Sequence, residues 1–226
     1  MATTPQGRDD HAHARPLLRG WFHAVAAIGA VGVTAALAFR ALGDLPRLAS
    51  LLVFGLSMIE LYSVSAVYHV RVWQGRRRTV LRALDHAGIF VLIAGTFTPF
   101  CVNVLAGWLR PAVLILIWAA ALAGVSTAVF TLGLPRWTTT VPYLGMGWAA
   151  LLPLPRIVQL LPWEAVALML SGGALYTLGA VVYWRRRPDP LPRLLGFHEV
   201  FHLLTIAANA AFVVAVWVWV VPFPRS

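Results

Sequence analysis

Apolar residues run along this chain in long blocks, parted by short knots of arginine, proline and glycine. The blocks fall at roughly Leu17–Leu42, Leu48–His69, Leu84–Leu105, Leu109–Gly133, Thr140–Ile157, Trp163–Trp184 and Leu195–Val221. Each is close to or above the ~20 residues that a helix needs to cross a hydrocarbon core of ~30 Å. None shows the two-residue alternation of a membrane barrel strand. The pattern predicts an all-α fold, a bundle of seven transmembrane helices. The fifth block is the shortest and carries Pro142, Pro153 and Pro155, each of which removes a helical hydrogen-bond donor. Connections are too short for a separate soluble domain. The expected organisation is a polar N-terminal tail over residues 1–16 and one membrane domain over 17–226.

Composition agrees with this. With 60% hydrophobic and only 12% charged residues, the chain cannot clothe a water-soluble globule. The net charge of +10 comes from 18 arginines and no lysine. In a soluble protein such a balance would suggest nucleic acid; here the charges sit between spans, where they act as orientation signals and contacts for anionic lipid. Without a lysine, retinal chemistry is excluded, because its Schiff base needs a lysine amine. With seven spans, a cytoplasmic N-terminus leaves only Arg40, Arg47, Arg110, Arg156 and Arg225 outside, and the other 13 inside. The positive-inside bias therefore predicts a cytoplasmic N-terminus and an extracytoplasmic C-terminus in the inner (plasma) membrane. Arg15 and Arg19 precede an apolar run too long for a cleaved signal peptide, so that run reads as a retained first helix. Cys101 is the single cysteine, which excludes an internal disulfide and a thiolate metal cluster. Membrane lipids are the expected partners, not nucleic acid.

The chemistry lies in a few polar residues at one depth. His198 and His202 are four residues apart, so on a helix both imidazoles leave the same face, one turn from each other. On the predicted topology His69 ends the second span at the cytoplasmic side, Asp85 and His86 begin the third there, and His198 and His202 begin the seventh there. Three histidines with one open position form the usual catalytic zinc arrangement. His69, His198 and His202 are the candidate ligands for Zn2+. Asp85 is at the right depth to orient or deprotonate a water, and Ser65, one turn before His69, to hydrogen-bond Asp85 or a substrate carbonyl. The plainer readings go to the remaining polar residues. His23 and His86 read as lipid-headgroup contacts, and His11 and His13 as solvated tail. Glu60, about 13 Å along the helix from His69, is expected to face a cavity or be protonated. Trp21, Trp108, Trp163 and Trp184 read as interface anchors. Thr96, Thr98 and Pro99 read as parts of a kinked third helix.

Several segments carry a family resemblance. Ser65-Ala66-Val67-Tyr68-His69, Leu84-Asp85-His86-Ala87-Gly88-Ile89, Ala94-Gly95-Thr96-Phe97-Thr98-Pro99-Phe100 and Phe197-His198-Glu199-Val200-Phe201-His202 occur in this order. Tyr143-Leu144-Gly145-Met146-Gly147-Trp148 and Gly172-Gly173-Ala174-Leu175-Tyr176-Thr177-Leu178-Gly179 lie between the last two. The ordered set resembles the hemolysin III family, the bacterial branch of the progestin and adipoQ receptor (PAQR) membrane proteins. The resemblance implies seven helices, a cytoplasmic N-terminus and zinc held by His69, His198 and His202. It also implies Asp85 at the zinc-bound water, with Ser65 in the same cluster. The superfamily includes alkaline ceramidases, which implies hydrolysis of lipid amides. One departure is visible: the family often has a glutamate and an asparagine before the first-span histidine, and Arg19-Gly20-Trp21-Phe22-His23 keeps only the histidine.

Three functions are consistent with these residues. The first is a zinc-dependent hydrolase of lipid amides or esters, ceramidase-like, acting in membrane lipid homeostasis. The second is an intramembrane metalloprotease, since His198-Glu199-Val200-Phe201-His202 fits H-E-x-x-H with Glu199 as base. No aspartate or glutamate follows Glu199 to supply a further ligand, which counts against it. The third is non-enzymatic, a membrane-homeostasis sensor or cytolysin with structural zinc.

Overall fold

A computed structural model of the chain describes residues 16–130 and 137–225. The tail over residues 1–15, with His11 and His13, and the end of the fourth predicted span lie outside the described residues. The fold is helical: α1 Trp21–Arg40, α2 Leu45–Val70, α3 Gly75–Asn103, α4 Leu109–Phe130, α5 Trp137–Trp148, α6 Leu154–Leu160, α7 Trp163–Arg185 and α8 Phe197–Ala215. A 3-10 turn, Ala149–Leu151, links α5 to α6, and a π-helical stretch, Val216–Val220, extends α8. Six helices are long and apolar enough to cross a membrane: α1 to α4, α7, and α8 with its π extension. Among the described residues, the fifth predicted span is instead three short pieces. Pro142 lies inside α5, and Pro153 and Pro155 sit at the start of α6, where a missing N–H costs nothing.

Two helices begin before their apolar blocks, α2 slightly and α3 by more than two turns. At α2 the Asp44 carboxylate accepts the Arg47 N–H at 3.2 Å, and a proline occupies the first turn, so the helix starts at Leu45. At α3 the helix starts at Gly75 and carries Arg76, Arg77 and Arg78 through its first turn before entering the apolar region.

Helices α1 to α4 pack side by side in chain order, as do α7 and α8; α1 touches α8, and α5 lies against α3, α4 and α7. Leu37, Leu51, Phe54, Val216 and Val220 are fully buried between α1, α2 and the end of α8. Phe90, Ile117 and Ala121 form a second apolar contact between α3 and α4. There the Phe90 ring covers Gly124 so closely that any Cβ would overlap it, the close approach typical of membrane helices packed on small residues. Outward faces are strongly apolar, with Ile28 at 76% and Phe130 at 84% exposure. Such surface suits lipid and not water. Trp21, Trp108, Trp163 and Trp184 are all exposed at or beside helix ends.

The threonines read as part of a kinked α3 are satisfied within the helix. The Thr96 and Thr98 hydroxyls donate to the Leu92 and Ala94 carbonyls at 2.8 Å, and Pro99 lies inside the helix. Beyond it, Asn103 donates to the Pro99 carbonyl at 2.8 Å and to Ser50 at 2.9 Å. At the same end Arg47 donates to the Val221 and Phe223 carbonyls at 2.6 Å, and Arg225 pairs with Asp44 at 2.9 Å. This network ties the end of the chain across α2 and α3, opposite the histidine end.

Candidate metal centre

The last turns of α2, the third turn of α3 and the first turns of α8 meet in one region of the bundle. His69 and His198 bring their Nε2 atoms to 3.1 Å, and His202, one turn along α8, has its ring centroid 4.4 Å from that of His198 and 5.2 Å from that of His69. One ligand atom from each of the three lies within 4.8 Å of the others. Neighbouring donors on a tetrahedral zinc with N–metal bonds near 2.0–2.1 Å are separated by roughly 3.3 Å, so small rotamer adjustments close the set on one ion. His202 also leaves its buried Nδ1 without a hydrogen-bond partner, as His23 beside it leaves both ring nitrogens, whereas buried polar groups are ordinarily paired. The residues present fit a metal.

The Asp85 carboxylate faces this group, with Oδ2 3.5 Å from His69 Nε2. Ser65 is buried beside Asp85 and is a hydrogen-bond partner for it. All five residues predicted for the site therefore lie together. They open on one cavity of about 870 Å³, whose deeper lining is apolar, with Ile89, Leu92, Phe97 and Phe100 of α3 and Phe212 of α8.

Other expectations need correction. His23 is not a headgroup contact. It is 2% exposed and stacked on His202, because the chain entering α1 crosses directly over the end of α2. That crossing needs Gly20, whose φ is +84° and whose missing Cβ would stand 2.9 Å from both His69 Cβ and Val70 N. Of the two alternatives for Glu60, the first is not met, because it does not line this cavity. Its carboxylate lies against Gly88 of α3, and Oε2 is buried without a hydrogen-bond partner.

Glu199 has a job unlike that of a protease base. It is 0% exposed, accepts the Gly196 N–H at 2.9 Å at the start of α8, and pairs with Arg19 Nε at 2.5 Å. Glu199 is not among the residues that line the cavity, although its two partners Arg19 and Gly196 are. The neighbouring Phe197 N–H is taken by Asp189 at 2.7 Å, so two of the free donors of the helix start are satisfied by carboxylates. Leu17 and Leu18 hydrogen-bond to the Arg193 and Leu194 carbonyls, which holds the entry to α1 against the entry to α8. The departure Arg19 thus gives the first helix a definite role: it braces the helix that carries two of the three histidines.

One polar contact escapes the sequence reading. Tyr176 of α7 donates to Asn209 Oδ1 at 2.6 Å, and Asn209 Nδ2 donates to Tyr62 of α2 at 2.5 Å. The signal is present in the spacing, since His198, His202, Thr205 and Asn209 recur at steps of four, three and four along one face of α8.

Fold and site together define a multi-pass helical membrane protein whose helix ends gather three histidines able to hold a metal ion. The family model described as "Haemolysin-III related" matches residues 11–213. "Hemolysin-3 homolog" of Bacillus subtilis (strain 168) is 31% identical over 176 residues, covering 77% of this chain and 79% of that protein. "Hemolysin-3" of Bacillus cereus is 30% identical over 171 residues, covering 75% and 74%. The chain belongs to the haemolysin-III family.

Proposed function

We propose that this protein is a zinc-dependent hydrolase of lipid amides or esters, working from the cytoplasmic leaflet of the plasma membrane. The observation that carries this reading is the shared cavity: the three histidines, Asp85 and Ser65 line it together with a long apolar wall that includes Ile89, Leu92, Phe97 and Phe100 of α3. From Asp85 to Phe100 the α3 wall runs roughly 22 Å, longer than the ~15 Å of one leaflet's hydrocarbon. An acyl chain laid along it brings a carbonyl near the head of the chain to the histidine end.

His69, His198 and His202 hold the zinc. When bound, zinc supplies Lewis-acid polarisation of a carbonyl and lowers the pKa of water. Asp85 accepts the proton of the attacking water and passes it to the leaving amine or alcohol, as its place beside His69 allows. Ser65 holds the Asp85 carboxylate in position. The apolar wall excludes bulk water from the reacting carbonyl.

The topology proposed with this reading has seven crossings, the broken segment of α5, the 3-10 turn and α6 serving as the fifth. The N-terminus is then cytoplasmic and the C-terminus outside, as the arginine distribution favours. Metal analysis of purified protein, followed by turnover of a panel of ceramides, phospholipids and lysolipids, tests the function. Stoichiometric zinc and hydrolysis that both vanish in His69→Ala are expected, with zinc kept but hydrolysis lost in Asp85→Asn. Full activity in Asp85→Asn, or a zinc-free wild type that still turns over lipid, would overturn it. The names of the two Bacillus relatives favour a second reading, a cytolysin with structural zinc. It predicts membrane lysis that survives Asp85→Asn.

A further inference from the structure

The cavity has a mouth as well as a depth, and the mouth is cationic. Along α3, Arg78, Arg82, His86, Ile89, Ile93 and Phe97 all line it. Their spacing, four, four, three, four and four, follows one stripe of a helix. The stripe begins with two guanidinium groups, passes the level of Asp85, and continues apolar. Arg71, after the end of α2, joins the same mouth. Among the described residues neither Arg78 nor Arg82 nor Arg71 has a carboxylate partner, whereas Arg19, also at the mouth, is paired with Glu199. Of the carboxylates lining the cavity, Asp189 holds the Phe197 N–H and Asp85 faces His69. The cations at the rim are thus left for a ligand.

Orientation signalling alone does not account for this arrangement. Arg76 and Arg77 serve that purpose equally well, are exposed on the same first turn, and do not line the cavity. Arg82 and Arg78 stand about 4.5 Å and 10 Å along the helix from Asp85. That is the offset between a phosphate and the nearest acyl carbonyl of a glycerophospholipid, which are separated only by the glycerol backbone.

We propose that Arg78 and Arg82 form a headgroup site that selects lipids with an anionic phosphate headgroup for this cavity. This rests on the reading of the cavity as a lipid site and extends it to the substrate class. A guanidinium binds phosphate through paired N–H donors, and a choline headgroup beside the same phosphate offsets that attraction with its own positive charge.

Binding of radiolabelled oleoyl-lysophosphatidylglycerol and oleoyl-lysophosphatidylcholine to the full-length protein in phosphatidylcholine nanodiscs, against empty discs, tests this. The anionic lipid is expected to bind about tenfold more tightly, the order of two partly screened cation–anion contacts. Arg78→Gln/Arg82→Gln should bring the two lipids within twofold of each other, and Arg76→Gln/Arg77→Gln should leave the preference intact. Raising the salt concentration should shrink the wild-type preference. Neither glycerophosphate nor inorganic phosphate, at the lysolipid concentration, should displace the bound lipid. Equal binding of the two lipids by wild type, an equal effect of the Arg76/Arg77 pair, or displacement by free phosphate would overturn the proposal. Binding is read whether or not lipid is cleaved. An absence of turnover therefore defeats the hydrolase reading alone, and an absence of headgroup preference defeats this one alone.

Discussion

The imidazole of His23 lies flat on that of His202, with ring centroids 3.8 Å apart and planes 5° from parallel. His202 therefore has one face covered by α1, while His69 and His198 stand against it at steep angles of 61° and 59°. A ring clamped in this way presents its nitrogens in one direction before any metal arrives. The contact is through ring faces, so shape is what matters. His23→Phe should keep zinc affinity within a few-fold of wild type, while His23→Ala should weaken it about tenfold or more, the range found for supports of metal ligands. Chelator competition measures both. Equal losses in the two variants would mean that a His23 nitrogen, and not its face, contributes.

Gly20 provides the closest check on how α1 meets the metal site. A methyl group there meets the His69 backbone and Cβ, and the residue must also hold φ at +84°. The backbone term alone is about 1–2 kcal/mol for a non-glycine residue. Gly20→Ala should lower thermal stability in detergent and release zinc more readily. The same change at Gly43, also at positive φ but with open space around it, should cost stability without touching zinc. Identical zinc retention in both variants would show that the entry to α1 does not set the position of His69.

Sequence and structure part company in an orderly way. Long apolar blocks locate α1, α4, α7 and α8 within a few residues, because for these helices the membrane and the helix share boundaries. They place the start of α2 as closely but misplace that of α3, because hydropathy reports where lipid begins and not where hydrogen bonding begins. The Arg76–Arg78 run belongs to helix but not to an apolar block. Depth is legible for His69, Asp85, His198 and His202, since topology alone brings those helix ends to one level. Facing is not. His23 shares that depth, and only the packing of α1 on α8 decides that it turns inward. Glu199 matches a protease motif in sequence, yet its geometry is that of a helix start.

Asn209 joins three helices through two tyrosine hydroxyls, Tyr62 and Tyr176. In hydrocarbon the orphaned hydroxyls have no water to turn to, although membrane double-mutant studies put such contacts at only ~0.6–1.7 kcal/mol each. Asn209→Leu should therefore destabilise by about 1–3 kcal/mol. The triple change with Tyr62→Phe and Tyr176→Phe, which removes every polar group together, should recover most of the loss. Unfolding in mixed detergent measures this. No recovery in the triple variant would assign the cost to packing instead of hydrogen bonding.

Glu199 separates the lipid hydrolase from a metalloprotease. As a protease base it would act on the reacting water, and Glu199→Gln would cost about two to four orders of magnitude in rate with stability unchanged. Its contacts lead to the opposite outcome. Glutamine still accepts the Gly196 N–H, but the charge opposite Arg19 is gone, and breaking a buried pair on one side costs about 3–5 kcal/mol. Arg19 keeps 21% exposure, so solvent screening should bring the loss toward or below the lower end of that range. Glu199→Gln is therefore expected to unfold earlier while its zinc-loaded fraction keeps lipid turnover within a few-fold of wild type. Arg19→Met/Glu199→Met, which removes both charges, should be more stable than Glu199→Gln alone. Rate per bound zinc, measured beside the thermal midpoint, distinguishes the two. A large rate loss at an unchanged midpoint would restore the protease reading and leave Arg19 without its bracing role.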